Sequence, residues 1–176
     1  PHEIAKKATL EECKDNCHSL SLDLWDQNQH FERTGSFRFT PATHLLLAFG
    51  QACKEHEEEG GILARQARYR ASSRRLIDGM RQMGFQTLVD DVHASPIVST
   101  FHDPDDPNYS FKMLYDGMKK RGFIIFPGRL AAANTFRIAN IGIVTPEDIG
   151  RAMDALAECF AEMGVKNFGR AEVAAA

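Results

Sequence analysis

Gly122-Phe123-Ile124-Ile125-Phe126-Pro127-Gly128-Arg129 and, a few residues on, Phe136-Arg137-Ile138-Ala139-Asn140-Ile141-Gly142 are two short apolar segments bounded by glycines and a Pro-Gly turn signal. Each reads as a buried strand. Arg137 stands between Phe136 and Ile138, where a buried guanidinium would be costly alone because it stays charged at any accessible pH. It therefore calls for an anion. Two anions fit: a carboxylate from among the 24 acidic residues in a structural ion pair, or a substrate carboxylate held by the planar guanidinium fork. The residue alone leaves both open.

Working outward, the apolar pattern gives four helices. One runs over residues 43–59, beginning behind Thr40-Pro41 and stopped by Gly60-Gly61. Leu45, Leu46, Leu47 and Phe49 take its start into the core, whereas Glu57, Glu58 and Glu59 make a solvated end. A second covers 62–83, with Ile62, Tyr69, Leu76, Met80 and Met83 on one stripe. A third covers 111–120, and the last covers 146–163, capped by Thr145 with Glu147 and Asp148 in its first turn. Strands are expected at 84–89 and 95–101 besides the two opening segments. Residues 9–14 allow a helical turn, and the alternation Ser19-Leu20-Ser21-Leu22-Asp23-Leu24 suggests an extended segment. This order of elements is that of an α+β fold, helices packed on a small, largely antiparallel sheet.

Composition excludes several functions. A net charge of −3 argues against a general nucleic-acid binder. Six arginines against the single Asp78 make residues 62–83 locally basic, but no aromatic stacking platform accompanies them, and the preceding acidic run offers an intramolecular partner. No apolar run approaches membrane-span length and no leader pattern opens the chain, so a cytoplasmic protein with no membrane contact is expected. Cys13, Cys17, Cys53 and Cys159 lack the spacing of a metal site and read as reduced thiols. Asp103-Pro104-Asp105-Asp106-Pro107-Asn108 lacks the central glycine and closing glutamate of a calcium loop and reads as turns. No metal is expected.

Several segments resemble, in order from about residue 3 to about residue 163, the C-terminal part of class V, fold-type I aminotransferases, most closely the 2-aminoethylphosphonate:pyruvate transaminases. They are Cys17-His18-Ser19-Leu20-Ser21-Leu22-Asp23-Leu24, Arg38-Phe39-Thr40-Pro41-Ala42-Thr43-His44, Glu58-Glu59-Gly60-Gly61, Gly79-Met80-Arg81-Gln82-Met83-Gly84-Phe85, Ser95-Pro96-Ile97 and the two opening stretches.

The resemblance implies that residues 1–42 are the trailing segment of the large domain that binds pyridoxal phosphate, with a strand tail at 1–5. It makes residues 43–164 the small C-terminal domain and leaves 165–176 as a disordered tail. It further implies a homodimer that transfers the amino group of 2-aminoethylphosphonate to pyruvate, giving phosphonoacetaldehyde and alanine. Thr40 would bind the cofactor phosphate across the dimer interface, Arg137 would bind the substrate carboxylate, and Trp25 would lie in the core or near the site. Arg129 stands where the family often has lysine. The family's cofactor-binding lysine and the aspartate facing the pyridine nitrogen lie upstream of the matched segments, so no catalytic residue is expected in this chain and it is expected to be inactive alone. Two other readings stand beside this: a non-catalytic split subunit or remnant that binds a partner half, and a class V aminotransferase with a different amino donor.

Overall fold

The structure is a computed structural model that describes residues 4–128 and 134–169; residues 1–3, 129–133, with Arg129 among them, and 170–176 lie outside the described part. The chain divides into two compact units, residues 1–55 and 56–176.

In the first unit, α1 (Lys7–Glu12), α2 (Leu24–Thr34) and the greater part of α3 (Thr43–Glu58) have no buried residue. Local polar contacts order it. Glu11 accepts hydrogen bonds from Trp25 Nε1 at 3.0 Å and Gln29 Nε2 at 3.3 Å, so Trp25 is tied to α1. Arg38 pairs with Asp26 at 2.6 Å. The extended segment expected over residues 19–24 is instead a turn running into α2, because Asp23 caps the helix by accepting from Asp26 N. Leu20 and Leu22 are left exposed. The apolar start of α3 does not enter a core either: Leu45, Leu46, Leu47 and Phe49 are all exposed.

The second unit holds the whole core. Three helices, α4 (Gly61–Gln82), α5 (Phe111–Lys120) and α6 (Pro146–Met163), accompany a sheet of β1 (Val98–His102), β2 (Phe126–Pro127) and β3 (Thr135–Ala139). The sheet order is β1-β3-β2 with both pairings antiparallel. Each helix presents one apolar stripe at helical spacing: Leu76 and Met80, Leu114 and Met118, and Ile149, Leu156 and Phe160 are all buried. They meet Phe101 and Phe136, which lie opposite each other on β1 and β3. α6 begins with a reciprocal cap, Asp148 N donating to Thr145 Oγ1 at 3.2 Å and Thr145 N to Asp148 Oδ2 at 2.8 Å.

Two expected strands shrink. Residues 84–89 run beside β1 through Leu88 N to Thr100 O and His102 N to Gln86 O, but form only a single bridge, Thr87 to Phe101. The run at 122–126 is strand only at Phe126–Pro127, and it is half-buried, Ile125 facing in while Ile124 and Phe126 face out. Gly128 follows it and must be glycine on steric grounds. A Cβ there would lie 2.6 Å from Thr135 Oγ1, which donates to Gly128 O.

Of the tail expected to be disordered over 165–176, residues 165–169 are described and pack on the core. Val165 is buried, and the Phe168 ring packs 5.2 Å from Phe85 and 5.4 Å from Phe160. The clip is Asp106: its carboxylate accepts from the backbone N–H of Asn108, Lys166 and Asn167 at 2.9, 2.7 and 3.0 Å. Those three donors hold its pKa below the usual carboxylate range. The Asp-Pro-Asp-Asp-Pro-Asn loop thus binds chain rather than metal. Asp106→Ala should raise the amide exchange rates of Lys166 and Asn167 on the order of tenfold or more, with the α6 amides unchanged; unchanged protection at 166 and 167 would show that the rings alone hold the segment.

Candidate functional site

β3 is the central strand, and its side chains alternate: Phe136 and Ile138 are buried, Arg137 between them is exposed. The expectation that Arg137 is buried with a balancing anion is corrected here, since period-2 geometry sends it to the sheet face opposite the helices. Its lateral neighbours are Thr100 on β1 and Phe126 on β2. The guanidinium has no hydrogen-bond or ion-pair partner among the described residues. Among the described residues, then, no structural ion pair forms there. What stands on this face is an unpaired cation flanked by the exposed apolar side chains of Val98 and Phe126.

The end of β3 is pinned by contacts that sequence reading missed. Asn140 is fully buried; its Nδ2 donates to Pro96 O at 2.9 Å and Tyr69 O at 3.3 Å, and its backbone N–H donates to Ile97 O. Two residues on, Gly142 N donates to Tyr69 Oη at 3.3 Å while Gly142 O accepts from Arg68 Nη1 at 2.6 Å. Arg68 is itself held by Glu59 at 2.6 Å and lies 4.8 Å over the Tyr69 ring. Glu59 also takes Arg65 at 2.7 Å, and the two guanidiniums lower its pKa from 4.5 to about 2. Glu59 was assigned no role on a solvated helix end, yet it anchors the arginine that fixes Gly142. The basic helix face is thus partly paired within the chain, with Arg81 on Asp91 at 2.6 Å as a further pair. Only the turn-forming Asn140-Ile141-Gly142 after an apolar strand signalled this region.

Thr40 lies in the first unit and is exposed. α3 begins three residues later; Thr43 N donates to Pro41 O, and Leu45 and Leu46 N donate to Ala42 O. The Thr40 hydroxyl has no partner among the described residues, so it does not cap the helix. Among the described residues no group of three or more His, Cys, Asp or Glu is arranged for a metal, and no helix is long and apolar enough to cross a membrane.

No protein-family model matches the chain. It is 46% identical over 172 residues to 2-aminoethylphosphonate–pyruvate transaminase 2 of Burkholderia lata, an alignment covering 98% of this chain and 46% of the relative. It is also 47% identical over 154 residues to the 2-aminoethylphosphonate–pyruvate transaminase of Vibrio parahaemolyticus, covering 87% of this chain and 42% of the relative. The chain is a homologue of the C-terminal part of these transaminases. It spans less than half the length of either. Among solved structures, pyridoxamine-pyruvate aminotransferase of Mesorhizobium loti superposes with a TM-score of 0.78 at 22% identity, covering 92% of this chain and 42% of that one. This places the α+β architecture among the fold-type I aminotransferases.

The Glu59 cluster of this transaminase homologue carries a pH signature. A carboxyl with a depressed folded pKa contributes stability that is complete above its unfolded value and is lost on acidification. For Glu59 that loss falls as the pH drops from 4.5 towards about 2. Denaturation of the chain across this window should show the loss, and Glu59→Gln should remove that share of the acid dependence; an unchanged acid limb would mean the cluster adds nothing to folding.

Proposed function

We propose that this chain is the C-terminal part of a pyridoxal-phosphate-dependent transaminase that moves the amino group of 2-aminoethylphosphonate to pyruvate, giving phosphonoacetaldehyde and alanine. The observation that carries the reading is the unpaired Arg137 guanidinium on the open sheet face, in a chain whose relatives bear that activity in their names. In this reading residues 1–42 trail from the large domain, 43–164 form the small domain, and the whole acts as a cytoplasmic homodimer.

Each named residue has one task. Arg137 takes the pyruvate or alanine carboxylate in a two-pronged grip that turns the substrate's α-carbon toward the cofactor. The core beneath Phe136 and Ile138 and the buried Asn140 hold its strand still. Thr40 donates to the cofactor phosphate, a role that suits a hydroxyl left without an internal partner just ahead of a helix start. Pyridoxal phosphate, when bound, supplies the electron sink for amino transfer. The residues present fit part of such a site only. All eight lysines, Lys6, Lys7, Lys14, Lys54, Lys112, Lys119, Lys120 and Lys166, are exposed, whereas a lysine nucleophile is activated by desolvation or a cationic neighbour. The covalent partner of the cofactor therefore comes from outside this chain, and the chain alone is inactive.

The test is a fusion of the N-terminal part of the Burkholderia lata relative to this chain, assayed for alanine formed from pyruvate with 2-aminoethylphosphonate and with other amino donors. Transfer from 2-aminoethylphosphonate is expected. Arg137→Lys should lower kcat/KM for pyruvate on the order of 100-fold at unchanged Tm, because lysine keeps the charge and loses the fork. Thr40→Ala should weaken cofactor retention about tenfold. Activity confined to another donor would favour a different class V aminotransferase. A folded, cofactor-bound but inactive fusion would favour the non-catalytic subunit. Wild-type kinetics in Arg137→Lys would remove that residue from the site.

A further inference from the structure

α4 turns a polar stripe made of Gln66, Arg70, Ser73, Arg74, Asp78 and Arg81 toward the loop at residues 91–96, and a groove of about 610 Å³ lies between them with Ser95 on its far wall. Its two ends differ in charge state. At one end Arg81 is used up by Asp91, whose two oxygens accept from the guanidinium at 2.6 and 3.0 Å, and the pairing keeps the Asp91 pKa low. At the other end Arg70 and Arg74 have neither an ion-pair nor a hydrogen-bond partner among the described residues. They sit one helical turn apart on the same stripe, an arrangement in which like charges oppose the helix. Between them in sequence is Ser73, a largely buried residue whose side chain lines the same groove.

Two unpaired, exposed guanidiniums and a hydroxyl lining one concave wall are the parts of an oxyanion site. We propose that this groove binds a small tetrahedral dianion of the phosphate or phosphonate type, gripped by Arg70 and Arg74 and receiving a further hydrogen bond from Ser73. Guanidinium forks suit such an ion because parallel N–H donors match its oxygens. Asp78, four residues beyond Arg74 toward the Arg81 end, repels an anion there and confines it to the Arg70 end. This inference does not rest on the transaminase reading of Arg137.

The test titrates the full chain with inorganic phosphate at constant ionic strength maintained by chloride, following the backbone amide signals of Ser73 and Ser95. Saturable shifts at these residues are expected. Binding should weaken about tenfold or more in the Arg70→Gln, Arg74→Gln double variant and measurably in Ser73→Ala, and should be unchanged in Arg65→Gln, whose guanidinium is already bound to Glu59. Shifts that fail to saturate, or that Arg65→Gln reduces as much as the double variant does, would mean diffuse electrostatics and overturn the proposal. If the double variant unfolds, the single Arg74→Gln and Ser73→Ala variants decide: equal affinity in both and in the parent chain overturns it as well.

Discussion

Side chains on a strand must alternate between its two faces, and on β3 that constraint fixes everything around it. Phe136 stacks near Phe85 and Phe101 with centroids 5.8 Å away in each case, and Ile138 fills the core two positions on. Burying them leaves Arg137 no choice of face. A one-residue slip would place a guanidinium in the core and two large apolar side chains in water, so the register is strongly specified. The cation on the open face is therefore held in place by hydrophobic packing that it takes no part in.

α4 extends this control beyond the strand. From one helix, Leu76 and Met80 enter the core, Tyr69 O accepts from the Asn140 side chain, Tyr69 Oη and Arg68 hold the backbone of Gly142, and Ser72 donates to Val144 O at 3.1 Å. The segment leaving β3 is thus tied at three successive points to a rigid element. Placing a side chain on a strand backed by a helix gives the precision that the proposed substrate clamp needs. The same helix carries the Arg70 and Arg74 stripe on the groove beside residues 91–96.

Much of this was legible before any coordinates. Residues 111–120 and 146–163 form helices over those very spans, because a stripe of apolar residues marks each one and the Thr145 cap marks the start of the second. The sheet was legible in kind, antiparallel and small, but not in extent: pairing depends on which strand lies alongside, and residues 84–89 found only one bridge. Arg137 could be singled out but not oriented, since an alternating pattern around one charge fits a buried pair or an outward cation equally well. The acidic run at 57–59 could be read as a partner for the arginines that follow, but not Glu59 as the anchor that fixes Gly142 through Arg68, and Asp106 gave no signal because Lys166 and Asn167 lie about 60 residues away. The apolar start of α3 shows the reverse failure: its pattern reads as core, yet Leu45, Leu46, Leu47 and Phe49 are exposed.

The central claim is that folding fixes Arg137 without using it, which leaves its guanidinium free for a ligand. Equilibrium denaturation of Arg137→Ala beside Phe136→Ala tests this most directly. The account predicts that Phe136→Ala costs about 3–5 kcal/mol, as for a large side chain deleted from a packed core, while Arg137→Ala stays within about 0.5 kcal/mol of the parent chain. A loss of stability in Arg137→Ala comparable to that in Phe136→Ala would contradict it, because the arginine would then belong to the fold rather than to the site.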